Sequence, residues 1–240
     1  AVPVIYFMNA PLYIPPGENW RVIGGNYVMN FNYSSGNYIV IDSQVYSDFR
    51  FGLIVAPSVS SGSLVKIIPS SPTANGHLGV FYSKFEMAAN VGSGNVFGGG
   101  TNRGVGLHLN SSLAPIRHNT FMTLEPIACL TGVLLEGGAI DNNVMDFRFV
   151  HINNTCLQAN IGSFNRIDAM VNSDGVVGPR IGFNMTAGNH NVCKIAFSSG
   201  FDPASGLIWG SNTYANLFYL SGGSSLSEFA NNSSNPTSRI

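Results

Sequence analysis

Apolar and polar residues alternate along this chain in a pattern that recurs every 22 to 26 residues. Six asparagines mark the repeat, and the residue two places after each one is apolar. They are Asn95, Asn119, Asn143, Asn165, Asn191 and Asn216, with spacings of 24, 24, 22, 26 and 25 residues. Self-similarity at such a period is typical of solenoids, in which each unit buries its apolar face against its neighbours. Because Asn is common here, chance spacing is the alternative, but the matching apolar residues favour a true repeat.

Each repeat contains short runs of alternating apolar and polar residues broken by Gly, Asn and Ser, without an amphipathic helical run. Alternation with a period of two is typical of β-strands that bury one face. Second runs of this kind lie at residues 104–109, 132–136 and 206–209. The pattern predicts an all-β fold, a single-stranded right-handed parallel β-helix (solenoid) with roughly 8–10 coils of about 22–26 residues.

The repeated asparagines have a structural explanation in such a solenoid. Equivalent positions of successive coils lie about 4.8 Å apart, so each Asn amide can bond to the next and form a ladder. Asn also tolerates the left-handed backbone conformation of a sharp bend. Residues two and four places after each Asn are expected inside, and the residue three places after it outside. The outward positions include Asp146, Asp168 and Lys194.

The chain is expected to form a single parallel β-helix domain over residues 1–220. Residues 1–17 are predicted to be an opening segment or cap, and residues 95–220 contain the most regular coils. Between residues 18 and 90, Pro residues and Ser-rich turns indicate longer excursions. The pattern is lost after residue 220, so residues 221–240 are expected to be a terminal cap, a linker or a flexible tail.

A motif near the start of the chain resembles a known family. An apolar strand ends abruptly at Pro15-Pro16-Gly17, since Pro lacks a backbone donor and Gly permits a bend. With the following run from Trp20 to Gly25, it resembles the opening coil of pectate-lyase-like (pectin lyase-like) β-helix proteins. That family includes pectin-degrading enzymes and many viral tailspike and tail-fibre proteins. The resemblance implies the fold and no particular activity, because the paired aspartates and the Gly-His-Gly segment of the pectin-cleaving branch do not occur in this sequence.

The low charge and the absence of a long apolar run argue against nucleic acid and membranes as partners. Of 240 residues, 45% are hydrophobic and only 10% are charged, with a formal net charge of −1. No basic field is present to attract nucleic acid, and no apolar run is long enough for membrane insertion, so neither partner is expected. Three cysteines, Cys129, Cys156 and Cys193, lack metal-ligand spacing and are expected in the core. No metal and no cofactor is predicted.

Six N-x-Ser/Thr sequons are candidate N-glycosylation sites and agree with an extracellular location. A chain this rich in Asn and Ser also produces sequons by accident, so the support is mild. The six asparagines are Asn32, Asn110, Asn153, Asn184, Asn231 and Asn232.

Asp146 and Asp168 are the strongest candidates for catalysis. At equivalent outward positions of adjacent coils their backbones would lie about 5 Å apart, and glycosidases use two carboxyl groups. Lys194 falls at the same position on the next coil, however, and a mixed-charge stripe is also typical of a solvated face. Glu136 is a further, isolated candidate. The sequence favours a surface role for these residues and leaves catalysis open.

The aromatic residues suggest a binding surface, whereas the histidines do not. Each His stands alone in the sequence, and His118 and His190 directly precede a ladder Asn, a turn position that favours a structural role. Aromatic residues spread among polar ones suit stacking on sugar rings, although Tyr also favours strands for packing alone. They are Tyr27, Tyr33, Tyr38, Tyr46, Tyr82, Trp209 and Tyr214.

Three functions remain open after these observations. The favoured one is a non-enzymatic module of a virion or other extracellular surface, of the tailspike or tail-fibre type, that binds a host-surface glycan or receptor and assembles as a homotrimer. The first alternative is a polysaccharide-degrading enzyme of the same fold, a glycoside hydrolase or lyase. The second is a purely structural subunit of a filament or surface layer. Fold analogy alone does not separate them.

Overall fold

The computed structural model describes residues 4–24, 27–32, 36–56, 62–91, 104–127, 129–150, 154–172, 181–197, 207–222 and 229–231. Within these residues all regular secondary structure is β-strand, arranged in three parallel sheets. The chain winds repeatedly through the same sheets and so forms a right-handed parallel β-solenoid. This confirms the predicted fold class.

Sheet 1 contains ten strands, and its outer face carries most of the charged residues discussed below. Its strands are Val4–Met8 (β1), Arg21–Ile23 (β4), Tyr27–Phe31 (β5), Asp48–Ala56 (β8), Lys84–Val91 (β11), Thr120–Ile127 (β14), Val144–Val150 (β17), Arg166–Asn172 (β19), Val192–Phe197 (β21) and Leu217–Gly222 (β23).

Sheet 2 contains nine strands, one from each successive pass of the chain. They are Leu12–Ile14 (β2), Ile39–Ile41 (β6), Ser63–Ile67 (β9), Val105–Asn110 (β12), Thr131–Glu136 (β15), Thr155–Ser163 (β18), Ile181–Asn189 (β20), Leu207–Tyr214 (β22) and Phe229–Asn231 (β24).

Sheet 3 is a narrow third side of five two-residue strands. They are Gly17–Glu18 (β3), Gln44–Val45 (β7), Val80–Phe81 (β10), Ile116–Arg117 (β13) and Ile140–Asp141 (β16). From β18 onward one long strand replaces the separate strands of sheets 2 and 3, and its end continues the same stack: the Asn142 amide donates to the Ser163 carbonyl oxygen at 3.0 Å.

An asparagine ladder runs along the corner where the chain enters sheet 1. The Asn165 side chain is representative: its Oδ1 accepts the Asn143 backbone N–H at 3.0 Å, and its Nδ2 donates to the Ile140 carbonyl at 2.7 Å and to Asn191 Oδ1 at 3.0 Å. The same side-chain bonds join five of the six predicted asparagines, namely Asn119, Asn143, Asn165, Asn191 and Asn216.

The first positions of the ladder are serines. Lys84 pairs with both Asp48 and Thr120, so the coils there are 36 residues long and Ser83 lies directly before Asn119 in the stack. The Ser83 hydroxyl oxygen accepts the Ser47 N–H at 3.1 Å. Asn95 lies outside the described residues, and the position predicted for it before Asn119 belongs to Ser83. A serine oxygen accepts the same backbone bond but cannot extend an amide ladder in both directions.

The interior is a continuous file of apolar side chains from all three sheets. Phe49, Phe85 and Phe121 of sheet 1 are fully buried and stack with ring centroids 5.3 and 5.1 Å apart. The file continues in register through Met145, Ile167, Cys193 and Phe218. The predicted alternation is confirmed, since the residues two places after the ladder asparagines are buried while Asp146, Asp168 and Lys194 face outward.

Both ends of the chain add detail to the predicted organisation. In the opening motif, Pro15 O accepts the Gln44 side-chain amide at 2.7 Å, and the Trp20 indole packs so closely on Gly17 that a Cβ there would displace it. Residues 229–231 form β24, which pairs with β22, so sheet 2 extends beyond residue 220. The division at residue 220 stays a prediction, and residues 232–240 lie outside the described part.

Asp42 anchors the loop that follows β9, which contains Ser70 and Ser71, to the solenoid. Its fully buried carboxylate accepts the backbone N–H of Ser70 and Ser71 at 2.6 and 3.0 Å and the Tyr13 hydroxyl at 2.8 Å. Burial alone would raise the pKa of Asp42, but these hydrogen bonds outweigh it and lower that pKa below its ordinary value of 3.8. The ionised carboxylate therefore stabilises the fold.

Replacing Asp42 with asparagine is expected to lower the free energy of unfolding by about 2–3 kcal/mol at neutral pH, because an amide cannot accept all of these bonds. A depressed pKa contributes stability above the unfolded-state value, and that contribution is lost as the pH falls through the folded-state value. The wild type should therefore lose stability in acid more steeply than Asp42→Asn in urea unfolding between pH 7 and pH 3. Asp48→Asn, which removes a partly exposed ion pair with Arg50, is the control and should cost less than about 1 kcal/mol. Equal acid sensitivity of wild type and Asp42→Asn would contradict this role.

Candidate functional site

The predicted charged stripe is present on the outer face of sheet 1. Asp146 of β17 pairs with Asp168 of β19, which pairs with Lys194 of β21 and then Tyr219 of β23. These side chains line one shallow, open groove that also contains Arg148. The structure therefore brings the two predicted aspartates together on adjacent coils.

Each of these aspartates has an arginine on its own strand. Arg148 Nε lies 3.1 Å from Asp146 Oδ1, and Arg166 Nε lies 3.1 Å from Asp168 Oδ2. The Lys194 ammonium lies 6.0 Å from the centre of the Tyr219 ring, within cation–π range. Exposed ion pairs of this kind add little to stability. The arrangement is a partly exposed charged face, in which each carboxylate is paired with an arginine and neither is isolated in an apolar pocket as a general acid would be.

Glu136 lies on a different sheet and has partners that the sequence did not indicate. Its Oε1 lies 2.8 Å from His108 Nε2 and accepts a hydrogen bond from Asn110 Nδ2 at 2.6 Å. The other ring nitrogen of His108, Nδ1, lies 3.4 Å from the Ser63 hydroxyl. His108 stands alone in the sequence but not in the fold, because residues far apart in sequence meet on successive coils.

Ser63, His108 and Glu136 are the residue types of a hydrolase catalytic triad, but the Ser63 hydroxyl is not accessible to a substrate. Ser63 is only 2% exposed and His108 8%, so a substrate in solvent does not reach the hydroxyl. Burial lowers the pKa of His108, and the Glu136 carboxylate opposes that shift. The cluster bridges β9, β12 and β15, which indicates that it fastens three coils together.

A row of left-handed residues forms the second candidate surface, which we call the aromatic corner. Each residue directly precedes a ladder position or its equivalent, and each has φ between 52° and 60°. Its members are Asn19, Tyr46, Tyr82, His118, Asn142, Phe164, His190 and Ala215.

The rings of the aromatic corner stack along the solenoid axis in two groups. In the first, Tyr46 and Tyr82 have centroids 5.3 Å apart with planes inclined by 11°, and Tyr82 and His118 are 5.1 Å apart at 7°. In the second, Phe164 and His190 are 5.2 Å apart at 21°. His190 also contacts Tyr214 edge-on at 5.8 Å.

These rings are exposed to solvent. Tyr46 is 62% exposed, Tyr82 55% and Phe164 61%, and the two histidines of the corner are exposed as well. A second open groove connects Phe164 and His190 with Arg166, Lys194 and Tyr219 of sheet 1. The sequence singled out the two histidines and some of the tyrosines but missed the row, whose signal is the residue immediately before each ladder position.

The other aromatic candidates divide by location. Tyr38 is fully buried and Tyr27 packs partly against the core, so neither offers a ring face to a sugar. Tyr46 and Tyr82 are exposed at the corner, and Tyr214, which directly precedes the corner residue Ala215, is also exposed. Tyr33 and the side chain of Trp209 lie outside the described part of the structure.

The candidate glycosylation sites also differ. Asn32 is exposed, and Asn184 is half-buried on β20. Asn110 is only 8% exposed and its amide nitrogen donates to Glu136, so the folded side chain offers no free amide for a glycan. Asn153, Asn232 and the side chain of Asn231 lie outside the described residues.

The cysteines lie in the core as free thiols: Cys129, Cys156 and Cys193 are all buried. Burial, with a smaller effect from the Asp168 carboxylate, raises the pKa of the Cys193 thiol. Among the described residues no group of three or more His, Cys, Asp or Glu side chains is placed to hold a metal ion. The same part of the chain contains no helix with the length and apolarity needed to span a bilayer.

The chain matches no protein-family model, and comparisons with curated proteins and with solved structures likewise give no match. The parallel β-solenoid is established by the structure itself. Membership of the pectate-lyase-like family or of the viral tailspike group stays a prediction from the opening motif.

Proposed function

We propose that this protein is an attachment module of a virion or another extracellular surface, and that it binds a host-surface glycan or receptor along the aromatic corner. Copies are proposed to assemble as a homotrimer, as the resemblance to tailspike-type solenoids implies. The observation that carries the proposal is the row of exposed aromatic side chains in left-handed backbone conformations.

Aromatic residues at the corner positions lower the stability of the fold through their backbone conformation and their exposed apolar surface. A non-glycine residue in the left-handed region costs on the order of 1–3 kcal/mol, least for Asn. The turn itself needs only a small polar residue, as Asn142 and Asn19 demonstrate. Tyr46, Tyr82 and Phe164 add exposed apolar surface to this cost. Strained backbone and exposed aromatic patches both accompany binding surfaces.

The shape of the aromatic corner suits an extended, repetitive ligand. Within each stacked group the rings lie on successive coils along the solenoid axis, about 5 Å apart. Stacked rings present their edges to solvent, together with the hydroxyls of Tyr46 and Tyr82 and the ring nitrogens of His118. Apolar edges that alternate with hydrogen-bonding groups match a polysaccharide, whose surface alternates in the same way.

The alternatives receive less support. A glycosidase that used Asp146 and Asp168 would need both carboxyl groups free to act on a glycosidic bond, whereas each is engaged by an arginine on its own strand. A purely structural subunit would gain only the ring-stacking contacts between coils, which the left-handed backbone and the exposed apolar surface offset.

The test is binding of the wild type and the double variant Tyr46→Asn/Tyr82→Asn to an array of immobilised neutral and acidic surface oligosaccharides. Asn tolerates the left-handed backbone conformation, so the free energy of unfolding of the double variant should lie within about 1 kcal/mol of the wild-type value. The loss of two central aromatic contacts should weaken binding at least about tenfold.

The matched control is Phe7→Ala, which removes an equally exposed ring from β1, away from the aromatic corner. It should bind like the wild type. Undiminished binding by the double variant would rule out the corner as the binding surface, and a wild type that binds no oligosaccharide on the array would refute glycan attachment.

A further inference from the structure

The stacked rings of the aromatic corner are interrupted at one coil. His118 ends the first group and Phe164 begins the second, and Asn142 lies between them. Backbone hydrogen bonds keep the three in consecutive layers: His118 N–H donates to Asp141 O, and Asn142 N–H to Ser163 O. The interruption is therefore a slot with a ring on each side and a short side chain as its floor.

The slot has the width of one saturated ring. One coil spans about 4.8 Å, so the two walls lie two coils, or about 9.6 Å, apart. A flat aromatic ring in contact with both walls needs only about 7–8 Å, from two contacts of 3.5–4.0 Å. A puckered pyranose carries hydrogens on both faces and fills the remaining space. Elsewhere in each group the ring faces cover one another, so the slot is where two faces are open together.

Polar groups line the floor and one rim of the slot. The Asn142 side chain is exposed and makes no hydrogen bond with any residue that the structure describes. Its amide can therefore donate to one sugar hydroxyl and accept from another. On the sheet 3 side, Arg117 Nε lies 2.8 Å from Asp141 Oδ2, and on the sheet 1 side Val144 is 46% exposed. One polar rim and one apolar rim suit a ring that has hydroxyls on one edge.

We infer that the slot at Asn142 is a sugar subsite, in which His118 and Phe164 sandwich one pyranose ring of a surface glycan and the Asn142 amide bonds its hydroxyls. This inference rests on the proposed glycan attachment and assigns it a specific ring-binding position.

The experiment fills the slot instead of dismantling it. Asn142→Tyr places a ring in the interrupted layer, where the neighbouring coils already carry rings at the same backbone angle. Binding is measured by saturation-transfer NMR with methyl pyranosides of glucose, galactose, mannose, rhamnose and N-acetylglucosamine. The wild type should show transfer to at least one of these sugars, and Asn142→Tyr should weaken it at least tenfold with an unchanged thermal midpoint.

Two further variants identify the cause of any loss. Leu113→Tyr adds the same ring at an exposed position shortly before β13, outside the aromatic corner, and should bind like the wild type. Phe164→Leu keeps an apolar wall without the aromatic face and should weaken binding severalfold. Full binding by Asn142→Tyr, or no transfer to any pyranoside in the wild type, would overturn the subsite. Attachment through Tyr46 and Tyr82 is judged separately, by the oligosaccharide array.

Discussion

Asn165→Ala is expected to lower the free energy of unfolding by about 3–5 kcal/mol, because it removes four side-chain hydrogen bonds of the ladder. The substitution deprives the buried Asn143 backbone N–H of its acceptor and removes a donor from the Ile140 carbonyl. It also breaks both amide bonds, to Asn143 and to Asn191. A buried polar group left without a partner costs about 1–3 kcal/mol, so two such losses account for most of the effect. Equilibrium urea unfolding measures it.

Two variants show whether the ladder itself is responsible. Asn165→Asp keeps the shape but has no donor, so it faces the Ile140 carbonyl with an acceptor and should be nearly as destabilising. Asn142→Ala changes the adjacent exposed asparagine and should cost no more than about 1 kcal/mol. If Asn165→Ala cost no more than Asn142→Ala, the ladder would contribute little to stability.

Phe85→Ala is expected to destabilise the protein by about 4–5 kcal/mol. Phe85 is fully buried, and its ring stacks between Phe49 and Phe121 with planes inclined by only 6° and 12°. Truncation of a buried Phe costs about 3–5 kcal/mol through lost burial and the cavity that remains. The two ring contacts place Phe85 at the upper end of that range. The same unfolding measurement applies.

The comparison with a conservative change separates packing volume from ring stacking. Phe85→Leu retains most of the volume and should cost about 1.5 kcal/mol. Phe7→Ala, the same truncation at a ring that is 70% exposed, should change stability by no more than about 0.5 kcal/mol. A loss below about 2 kcal/mol for Phe85→Ala would mean that neighbouring coils collapse to fill the space, and that the stack is not a rigid core.

Local chemistry explains why the regular half of the fold was predictable. Every coil from Asn119 onward uses the same corner residue, and the strand after it alternates between core and solvent. Each layer of a ladder needs an amide that both donates and accepts hydrogen bonds. Asn therefore recurs at the same position of each coil, and this recurrence is visible in the sequence. Once the Asn positions are aligned, strand alternation places Met145 and Ile167 inside and Asp146 and Asp168 outside.

The early coils show where this inference fails. Ser83 and Ser47 take the corner positions there, at spacings of 36 residues, because excursions lengthen each coil without disturbing strand pairing. Spacing alone therefore assigned a ladder position to Asn95. Only pairing between strands distant in sequence identifies the true register, since loop length is nearly free to vary in a solenoid.

The candidate sites were less accessible to sequence reasoning than the core. Asp146 and Asp168 were placed correctly on adjacent coils, but their arginine partners show a charged face and not an isolated acid. The pairing of His108 with Glu136 spans 28 residues and follows no short motif. Rings at the aromatic corner are separated by coils of unequal length, so no fixed period connects them.

The sequence alone determined the repeated asparagines of the ladder and the alternation of strand faces, and hence the parallel solenoid. These features depend on short-range chemistry that is repeated in the regular coils. The tertiary structure decided which side chains become neighbours across coils: the serine start of the ladder, the ion pairs and the stacked rings with their slot at Asn142. The physical reason is that stacking brings residues together by layer, and the layer of a residue depends on the sum of all coil lengths before it.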